Sequence, residues 1–553
     1  MSLPSSITPC ISQDALSRVS RFYSGGPEDA IAEILQNSRR AGASCVDIDL
    51  LNRAGHPVLT IRDDGIGIDD PAALLALGHS GWGDKIAQAE DPAGMGVFSL
   101  AGLRVEYRSY SHSAKSGWRV IIDGDAWSHQ RPIAIEPFDH SNGTEIHIDM
   151  PEAWESRGFE RVVEQVARYY PLRVFWQGTE LDRADWLADA HFIEQWESGR
   201  IGVYRNRHRH LSGEPTINFH GLTVRATLPH LSEVDGARWT VLYDVGPISP
   251  LQLVLPARKD VIQTASLDAL KTACQAAIFR AIAAESSHRL SHEDWLRAAN
   301  LDISLPAADS SLNIWIPPVA DYRSRHRGSP LRCEPMIVID ELEPDLAQSA
   351  SRAIGDGSIL GGRLVDAEPR FAGYDWYDEL PRIIDFSFTV RRGDTIFQHS
   401  ETDRFIGEPS GSADAILLEP VFADARAVSP IAAGILIMKE PYGCDDLSDP
   451  TIILGPQARF DVAALTSLLE DAAFCPSDDK AADSYETQRA YFVSEARQVA
   501  AELLLGEDKA ILLQLEDILR NHRWMIPEQR TVSITVSRNE ITLAYIENTP
   551  PSP

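Results

Sequence analysis

The stretch Asp63-Asp64-Gly65-Ile66-Gly67-Ile68 follows directly on an alternating segment, Val58 to Arg62, and the two together predict a β-strand that ends in an acidic, glycine-rich turn. Turns rich in Asp and Gly are common, but an exposed turn rarely has an apolar residue between its two glycines. The first carboxylate, at the end of the strand, can accept a hydrogen bond from an amine. The glycines allow the backbone to pass close to a bound group where a Cβ would collide. We therefore interpret this stretch as part of a binding site.

A helix is predicted upstream, from Pro27 to Ala41, and it carries two polar residues of chemical interest. Proline suits the first helical position, and Gly42 supplies the stop. Glu33 and Asn37 are four positions apart, so on a helix their side chains rise from the same face. An amide oxygen is a suitable ligand for Mg²⁺, and a carboxylate one turn away can take a proton from water. Such a pair usually marks an ordinary helix surface, so its meaning depends on the motifs that follow.

Two further glycine motifs lie downstream. In Gly94-Met95-Gly96-Val97-Phe98 the backbone N–H groups precede a helix-like segment and can face an anion with no side chain in the way. The segment before it, 69–93, contains several glycines and is predicted to be a lid. Thr144 follows Gly143 at the start of a predicted strand, where threonine is common for reasons of β-propensity alone.

The order of these motifs resembles the GHKL family, which groups gyrase-type topoisomerases, heat-shock-chaperone ATPases, histidine kinases and MutL-type repair proteins. The resemblance implies a domain folded around one ATP with Mg²⁺. It implies that Glu33 is the general base, that Asn37 holds the metal, and that Asp63 accepts a hydrogen bond from adenine. Thr144 would help to hold the adenine, and Gly94, Met95, Gly96, Val97 and Phe98 would form the phosphate cradle.

The Gly-rich turn looks most like that of the ninety-kilodalton heat-shock chaperones or the related MORC-type ATPases. The MutL-type signature Gly-Phe-Arg-Gly-Glu-Ala is absent at this turn. Further on, the segment from Lys259 to Gln263 resembles the chaperone middle-domain segment in which a basic residue reaches the γ-phosphate. This chain has Lys259 where that pattern has Arg, and Arg258 stands immediately before it. Either of the two could be the phosphate contact, and a plain basic loop is an equal alternative.

The expected fold class is α+β, divided into several domains because the chain of 553 residues exceeds the size of one core. Residues 1–150 are predicted to form the GHKL α/β sandwich, with helices on one face of a mixed sheet. Residues 151–290 are assigned to a transducer or middle-type α/β domain. A linker or exposed loop is expected at 291–335, which is rich in Pro, Ser and Asp, followed by an α/β region of unknown role at 336–553.

Composition narrows the classes of function. The formal net charge of −30 argues against general coating of nucleic acid or of an anionic membrane. The six cysteines are scattered without a Cys-x-x-Cys pair, so neither a zinc site nor a disulfide framework is indicated. With no apparent secretory signal and no long apolar run, we expect a cytoplasmic protein without a membrane span.

The sequence thus predicts a Mg²⁺-dependent, chaperone-like ATPase in which ATP closes the lid and pairs two chains as a homodimer. A protein client or the product of an adjacent gene is the expected partner. The alternative is a nucleotide-gated clamp or scaffold that binds nucleic acid or a partner protein with little turnover. Nucleic acid is the less favoured partner because of the overall charge.

Overall fold

The alternating and periodic segments of the sequence appear as strands and helices in a computed structural model. It describes residues 26–53, 55–74, 99–126, 132–152, 154, 158–206, 214–234, 236–249, 251–254, 258–324, 326–332, 334–405, 407–439, 450–479, 482–528 and 530–546. These residues fall into two compact units, with the division after Ala308. The architecture is α+β, as predicted: an N-terminal sheet covered by helices, followed by further α/β regions.

The first sheet has eight strands. They are β1 (Cys45–Arg53), β2 (His56–Asp63), β3 (Val105–Ser111), β4 (Ser116–Ile122), β5 (Ile135–Pro137), β6 (Thr144–Asp149), β7 (Arg173–Trp176) and β8 (Thr179–Glu180). Their order is β5-β4-β3-β6-β2-β1-β7-β8, with β1 and β7 parallel and the other neighbours antiparallel. Since β2 pairs with β6 in the middle of the sheet, Asp63 lies opposite Thr144.

Helix α1 (Pro27–Arg40) covers the inner face of this sheet. Its buried stripe contains the residues expected from the sequence, Ala30, Ile31, Ile34, Leu35 and Ser38. They share one core with the inward-facing residues of the strands, such as Val46 and Ile48 of β1. The alternating aspartates of β1 point to the other face, so the period of two fixes which side of the sheet the helix covers.

The first sheet continues beyond residue 150, where the sequence pattern had suggested a domain boundary. Helix α2 (Phe159–Ala167) and strand β7 belong to the core under α1. The hydroxyl of Tyr170 donates to the carbonyl oxygen of Ala32 at 2.9 Å. Pro151 therefore marks a turn within the sandwich, and the chain returns to add two more strands beside β1.

A second sheet follows within the same unit. Its strands are β9 (Phe192–Trp196), β10 (Gly199–Arg205), β11 (Ile217–Phe219), β12 (Leu222–Val224), β13 (Leu231–Ser232) and β14 (Arg238–Asp244). The order is β12-β11-β14-β10-β9, and β13 also pairs with β14. Helix α3 (Ala265–Ala283) packs on this sheet in one core. Thr264 caps that helix by accepting from the backbone N–H of Leu267 at 3.4 Å.

The segment 291–335, expected to be a linker or loop, contains regular structure. Helix α4 (His292–Asn300) is capped by the Ser291 side chain, which accepts from the backbone N–H of Asp294 at 3.1 Å. Strands β15 (Ser311–Asn313) and β16 (Pro330–Arg332) form an antiparallel pair. The Pro and Ser content reflects caps and short strands here rather than an extended spacer.

The second unit is built on two sheets. One contains β17 (Met336–Ile339), β18 (Arg363–Asp366), β19 (Arg382–Arg392), β20 (Thr395–His399), β22 (Ala415–Phe422) and β23 (Ile431–Ala432). The other contains β21 (Gly411–Ser412), β24 (Ile435–Met438) and β25 (Thr451–Leu454). The helices are α5 (Pro344–Ile354), α6 (Asp375–Asp378), α7 (Val462–Ala473), α8 (Tyr485–Leu505) and α9 (Glu507–His522). A hairpin of β26 (Thr531–Ser537) and β27 (Glu540–Ile546) completes the unit.

Within the described ranges, no helix combines the length and the apolar character that crossing a bilayer requires.

Candidate functional site

Helix α1 presents Glu33 and Asn37 on one face, as the spacing predicts, and Arg40 joins them one turn later. The Arg40 guanidinium is almost fully buried, with its Nη1 3.9 Å from Glu33 Oε1. The same Nη1 donates to Asn37 Oδ1 at 3.3 Å. Arg40 was missed in the sequence because it belongs to no recognised motif. Its spacing of seven from Glu33 is the signal that could have placed it on this face.

Asp63 ends β2 beneath α1, and its carboxylate is tied to the helix. Oδ1 accepts from the backbone N–H of Gly65 at 2.9 Å, and Oδ2 accepts from the hydroxyl of Ser38 at 3.2 Å. Burial raises the pKa of Asp63, and hydrogen bonds from Gly65, Ser38 and Thr144 oppose that rise. A carboxylate has about four acceptor positions, so this one keeps capacity for a further donor.

Asp64 has a different task from its neighbour. Its Oδ1 accepts from the backbone N–H groups of Ser44 at 2.7 Å and of Cys45 at 3.1 Å, where β1 begins. Burial acts to raise the pKa of Asp64, but the hydrogen bonds from Ser44 and Cys45 lower it overall. This side chain therefore fastens the end of β2 to the start of β1.

The glycines of the turn are required by the protein itself. Gly67 has φ of +76°, and a Cβ there would lie 2.7 Å from the carbonyl oxygen of Tyr110. A Cβ on Gly65 would lie 2.8 Å from the Cβ of Ala41. The sequence argument gave a bound group as the reason for these glycines, whereas the packing of the turn is already sufficient. Ile66 between them is 60% exposed.

Thr144 lies in a buried group of hydroxyls next to this turn. Its Oγ1 is 3.0 Å from Oγ of Ser109, which donates to the carbonyl oxygen of Gly143 at 3.0 Å. The backbone N–H of Ile68 donates to the same Ser109 hydroxyl at 2.9 Å. Ser109 was not predicted. Its signal is a small polar residue at an inward-facing position of an alternating strand, where Val105 and Tyr107 are apolar.

The segment between the second sheet and α3 brings a basic pair to α1. Arg258, with φ of +51° and a side chain 10% exposed, donates from Nη1 to Glu33 Oε2 at 3.0 Å. Lys259 contacts α1 one turn before Glu33: its Nζ lies 3.2 Å from Asp29 Oδ1, and its side chain is 54% exposed. Arg258 is thus the one of the pair that contacts the proposed base. The Nε2 group of Gln36 adds a second contact from α1, donating to the carbonyl oxygen of Phe219 at 3.3 Å.

The predicted phosphate cradle, Gly94 to Phe98, lies outside the described residues, as does most of the predicted lid. The structure therefore brings together Glu33, Asn37 and Asp63 along α1 and β2, with Thr144 beside Asp63 and Arg258 beside Glu33. Among the described residues, no group of three or more His, Cys, Asp or Glu side chains is arranged to hold a metal ion.

Comparison with known proteins agrees with this geometry. The family described as histidine kinase-, DNA gyrase B-, and HSP90-like ATPase matches residues 23–121. The DNA mismatch repair protein MutL of Chromohalobacter salexigens is 30% identical over 132 residues, which cover 22% of this chain and 20% of that protein. MutL of Buchnera aphidicola subsp. Schizaphis graminum is 30% identical over 132 residues, covering 22% of each chain. MutL of Cellvibrio japonicus is 28% identical over 131 residues, covering 22% of this chain and 20% of that protein.

The chain thus spans about a fifth of the length of these curated relatives. The relatives named here are MutL proteins, although the Gly-rich turn lacks the MutL-type signature. The closer resemblance to the chaperone or MORC-type ATPases stays a prediction. The matched family and the helix-covered sheet coincide in the first third of the sequence, and the chain therefore carries an ATP-binding domain of the GHKL ATPase type.

Proposed function

We propose that this protein binds ATP with Mg²⁺, hydrolyses it, and uses the cycle to switch its conformation. The observation that supports this most is the contact between Arg258 and Glu33. It joins a cation from the segment that follows the second sheet to the proposed general base on α1, at 3.0 Å and largely shielded from water. The two residues are 225 positions apart, so the fold creates this contact rather than chain proximity.

Recognition of the adenine ring would fall to Asp63. Its carboxylate is held by Ser38 and Gly65, so its direction is fixed before a ligand arrives. The remaining acceptor capacity suits the exocyclic amine of adenine. The hydroxyls of Thr144 and Ser109 support the floor of this site from inside the sheet, because each is hydrogen-bonded to the other.

Asn37 would hold Mg²⁺, which in turn would neutralise phosphate charge. Its Oδ1 accepts one long hydrogen bond, 3.3 Å, from Arg40. A bond of that length is easily exchanged for a cation, and Mg²⁺ at a nucleotide site needs few protein oxygen ligands beside the phosphates and water. Arg40 would then remain paired with Glu33 across the same helix face.

Glu33 would take the proton from the attacking water. In the structure its two oxygens contact two guanidinium groups, Arg40 at 3.9 Å and Arg258 at 3.0 Å. A carboxylate oxygen that accepts from a guanidinium group has less capacity left to accept from the attacking water. We therefore infer that Arg258 leaves Glu33 for the γ-phosphate when the site closes, which frees the base and offsets phosphoryl charge in one movement.

The test is phosphate release by the full chain and by Glu33→Ala. The variant should keep ATP affinity and lose turnover by roughly a hundredfold or more, as expected for a positioned general base. Glu28→Ala is the matched control, since Glu28 is an exposed carboxylate in the first turn of the same helix. Equal turnover by Glu33→Ala and the wild type would remove Glu33 from the mechanism.

Two cellular functions are candidates for a conformational change driven by ATP. A chaperone-like ATPase acting on a protein client is favoured by the form of the Gly-rich turn and by the net charge of −30. A nucleotide-gated clamp is favoured by the relatives, whose names refer to DNA mismatch repair. ATP-dependent protection of an unfolded protein would support the first candidate. Binding to DNA that requires ATP and weakens steeply with salt would support the second.

A further inference from the structure

Arg40 is a buried cation on the face of α1 that carries the proposed base and the proposed metal ligand. Its side chain is only 4% exposed, compared with 17% for Glu33. One nitrogen, Nη1, contacts both residues: it donates to Asn37 Oδ1 at 3.3 Å and lies 3.9 Å from Glu33 Oε1. A positive charge of the protein therefore lies beside both oxygen atoms to which the proposed chemistry assigns the metal ion and the attacking water.

The stability of the helix does not require this burial. A cation in the last turn of a helix interacts favourably with the helix dipole, and Arg39 already supplies one. Arg39 is only partly buried, and its Nε and Nη2 both donate to Gln36 Oε1 at 3.3 Å. Removing a guanidinium group from water is unfavourable unless other interactions compensate. A second arginine in the same turn, almost fully buried, therefore indicates a role beyond helix stability.

Burial makes the charge of Arg40 effective at short range. Charges attract more strongly at a site shielded from water than in bulk solvent, because the effective dielectric constant is lower. A guanidinium group stays protonated at physiological pH and is more weakly hydrated than an ammonium group, which suits it to a buried position beside phosphate. The contacts of Arg40 with Asn37 and Glu33 are both long. Exchanging either one for a contact with a phosphate oxygen would break no short hydrogen bond between these three residues.

The same charge can supply part of what a metal ion supplies at a nucleotide. When bound, Mg²⁺ neutralises the negative charge of the phosphates. On the proposed function, Asn37 Oδ1 would hold that ion, and Arg40 already places a positive charge next to this oxygen. ATP without its metal ion is the more strongly charged form, so its binding depends more on a cation of the protein.

We propose that Arg40 is a resident cation for the phosphates, so that the site binds ATP in the absence of Mg²⁺ almost as tightly as in its presence. This inference rests on the proposed ATP site and concerns which cation serves it. Arg258 reaches α1 from another segment of the chain, whereas Arg40 belongs to α1 itself. The charge of Arg40 therefore stays with Glu33 and Asn37 in every position of the second sheet.

Isothermal calorimetry on the full chain with a non-hydrolysable ATP analogue tests this, once with saturating Mg²⁺ and once with excess EDTA. The wild type should bind in EDTA within about fivefold of its affinity in Mg²⁺, because the buried charge compensates for the ion. Arg40→Gln should lose at least about tenfold in EDTA, as expected for loss of a contact with a charged group. In Mg²⁺ the same variant should lose less than about threefold, since the ion then neutralises the phosphates.

Arg39→Gln is the matched control. It removes the same charge from the adjacent position, where the side chain contacts Gln36 instead of Asn37 and Glu33. The ratio of its affinities in the two buffers should equal that of the wild type. Arg40→Lys keeps a positive charge at the position and should stay within about fivefold of the wild type in EDTA. If Arg40→Gln does not fold, the wild-type ratio and Arg40→Lys decide the question.

Three results would overturn the proposal. One is a wild-type chain that binds the analogue in Mg²⁺ but more than about fivefold more weakly in EDTA. Another is an Arg40→Gln variant that loses the same factor in both buffers, since Arg40 would then only support the shape of the site. The third is an Arg40→Lys variant that falls more than about fivefold below the wild type in EDTA. A wild-type chain that binds the analogue in neither buffer would contradict the proposed function itself, and this inference with it.

Discussion

Asp63 and Asp64 are adjacent and chemically identical, but their surroundings give them different roles. Asp63 lies under α1, where burial raises its pKa and leaves a carboxylate directed into the site. Asp64 lies at the start of β1, where hydrogen bonds from Ser44 and Cys45 lower its pKa. The sequence motif predicted that Asp63 would matter. It gave no structural role to Asp64, because the partner residues lie 19 and 20 positions away.

We expect Asp63→Asn to abolish ATP binding. An amide at this position can present an N–H group to the adenine amine, placing donor against donor, and it weakens the bond from Ser38. Isothermal calorimetry with ATP and Mg²⁺ on a fragment ending near residue 308, the boundary of the first compact unit, measures this directly.

Asp64→Asn provides the comparison for that measurement. It should bind ATP like the wild type but lose about 1 kcal/mol of stability, since one of its backbone hydrogen bonds is weakened. Unchanged ATP affinity in Asp63→Asn, or equal losses of affinity in both variants, would contradict the assignment.

At the scale of elements, α1 is fixed on two sides. Tyr170 donates to the backbone of Ala32 from the first sandwich, while Arg258 contacts Glu33 from the segment that follows the second sheet. The helix that carries the proposed base is therefore in contact with both sheets of the first unit. If the second sheet shifts when the site closes, the contact between Arg258 and Glu33 would transmit that shift directly to Glu33.

Arg258→Ala and Lys259→Ala should separate the two basic residues. Arg258→Ala is expected to lower turnover by about tenfold or more at unchanged ATP affinity, because it removes a cation from the transferred phosphate. Lys259→Ala removes an exposed ion pair, which is worth about 1 kcal/mol or less, and turnover should stay within about twofold of the wild type. Steady-state ATPase assays on both variants measure this. A larger loss in Lys259→Ala than in Arg258→Ala would reverse the assignment.

Sequence patterns were sufficient to predict the elements that depend only on residues close together in the chain. Helix α1, its buried stripe and the strand before Asp63 follow from spacing, capping and alternation. The parallel pairing of β1 with β7 did not follow, because it joins residues about 130 positions apart and a proline turn at Pro151 intervenes. Ser109 was missed for a similar reason: its hydroxyl acts across two neighbouring strands. Likewise, the preference for Arg258 over Lys259 rests on a contact between helix α1 and the segment that follows the second sheet, which the sequence alone does not show.

At the scale of the whole molecule, we propose that two chains pair through their N-terminal domains when ATP binds. The sequence predicts that this pairing requires ATP, which would close the lid. A non-hydrolysable ATP analogue should trap the paired state.

Light scattering on the full chain with and without the analogue tests this pairing. The analogue should raise the weight-average mass above that of the protein without nucleotide. Introducing Asp63→Asn into the same chain should abolish the rise. A mass that does not respond to the analogue, at concentrations well above the nucleotide affinity, would favour a switch that operates within one chain.

The ion pair between Arg258 and Glu33 has a consequence for how much ATP the protein hydrolyses without completing its cycle. On the proposed mechanism, Arg258 occupies Glu33 whenever the site is open, so ATP that binds and leaves without closure is not hydrolysed. Hydrolysis is then reserved for encounters in which the second sheet has moved and Arg258 has changed partners. Such an ATPase would hydrolyse little nucleotide in its open state. Its hydrolysis rate at saturating ATP would depend on how often the closed state is reached.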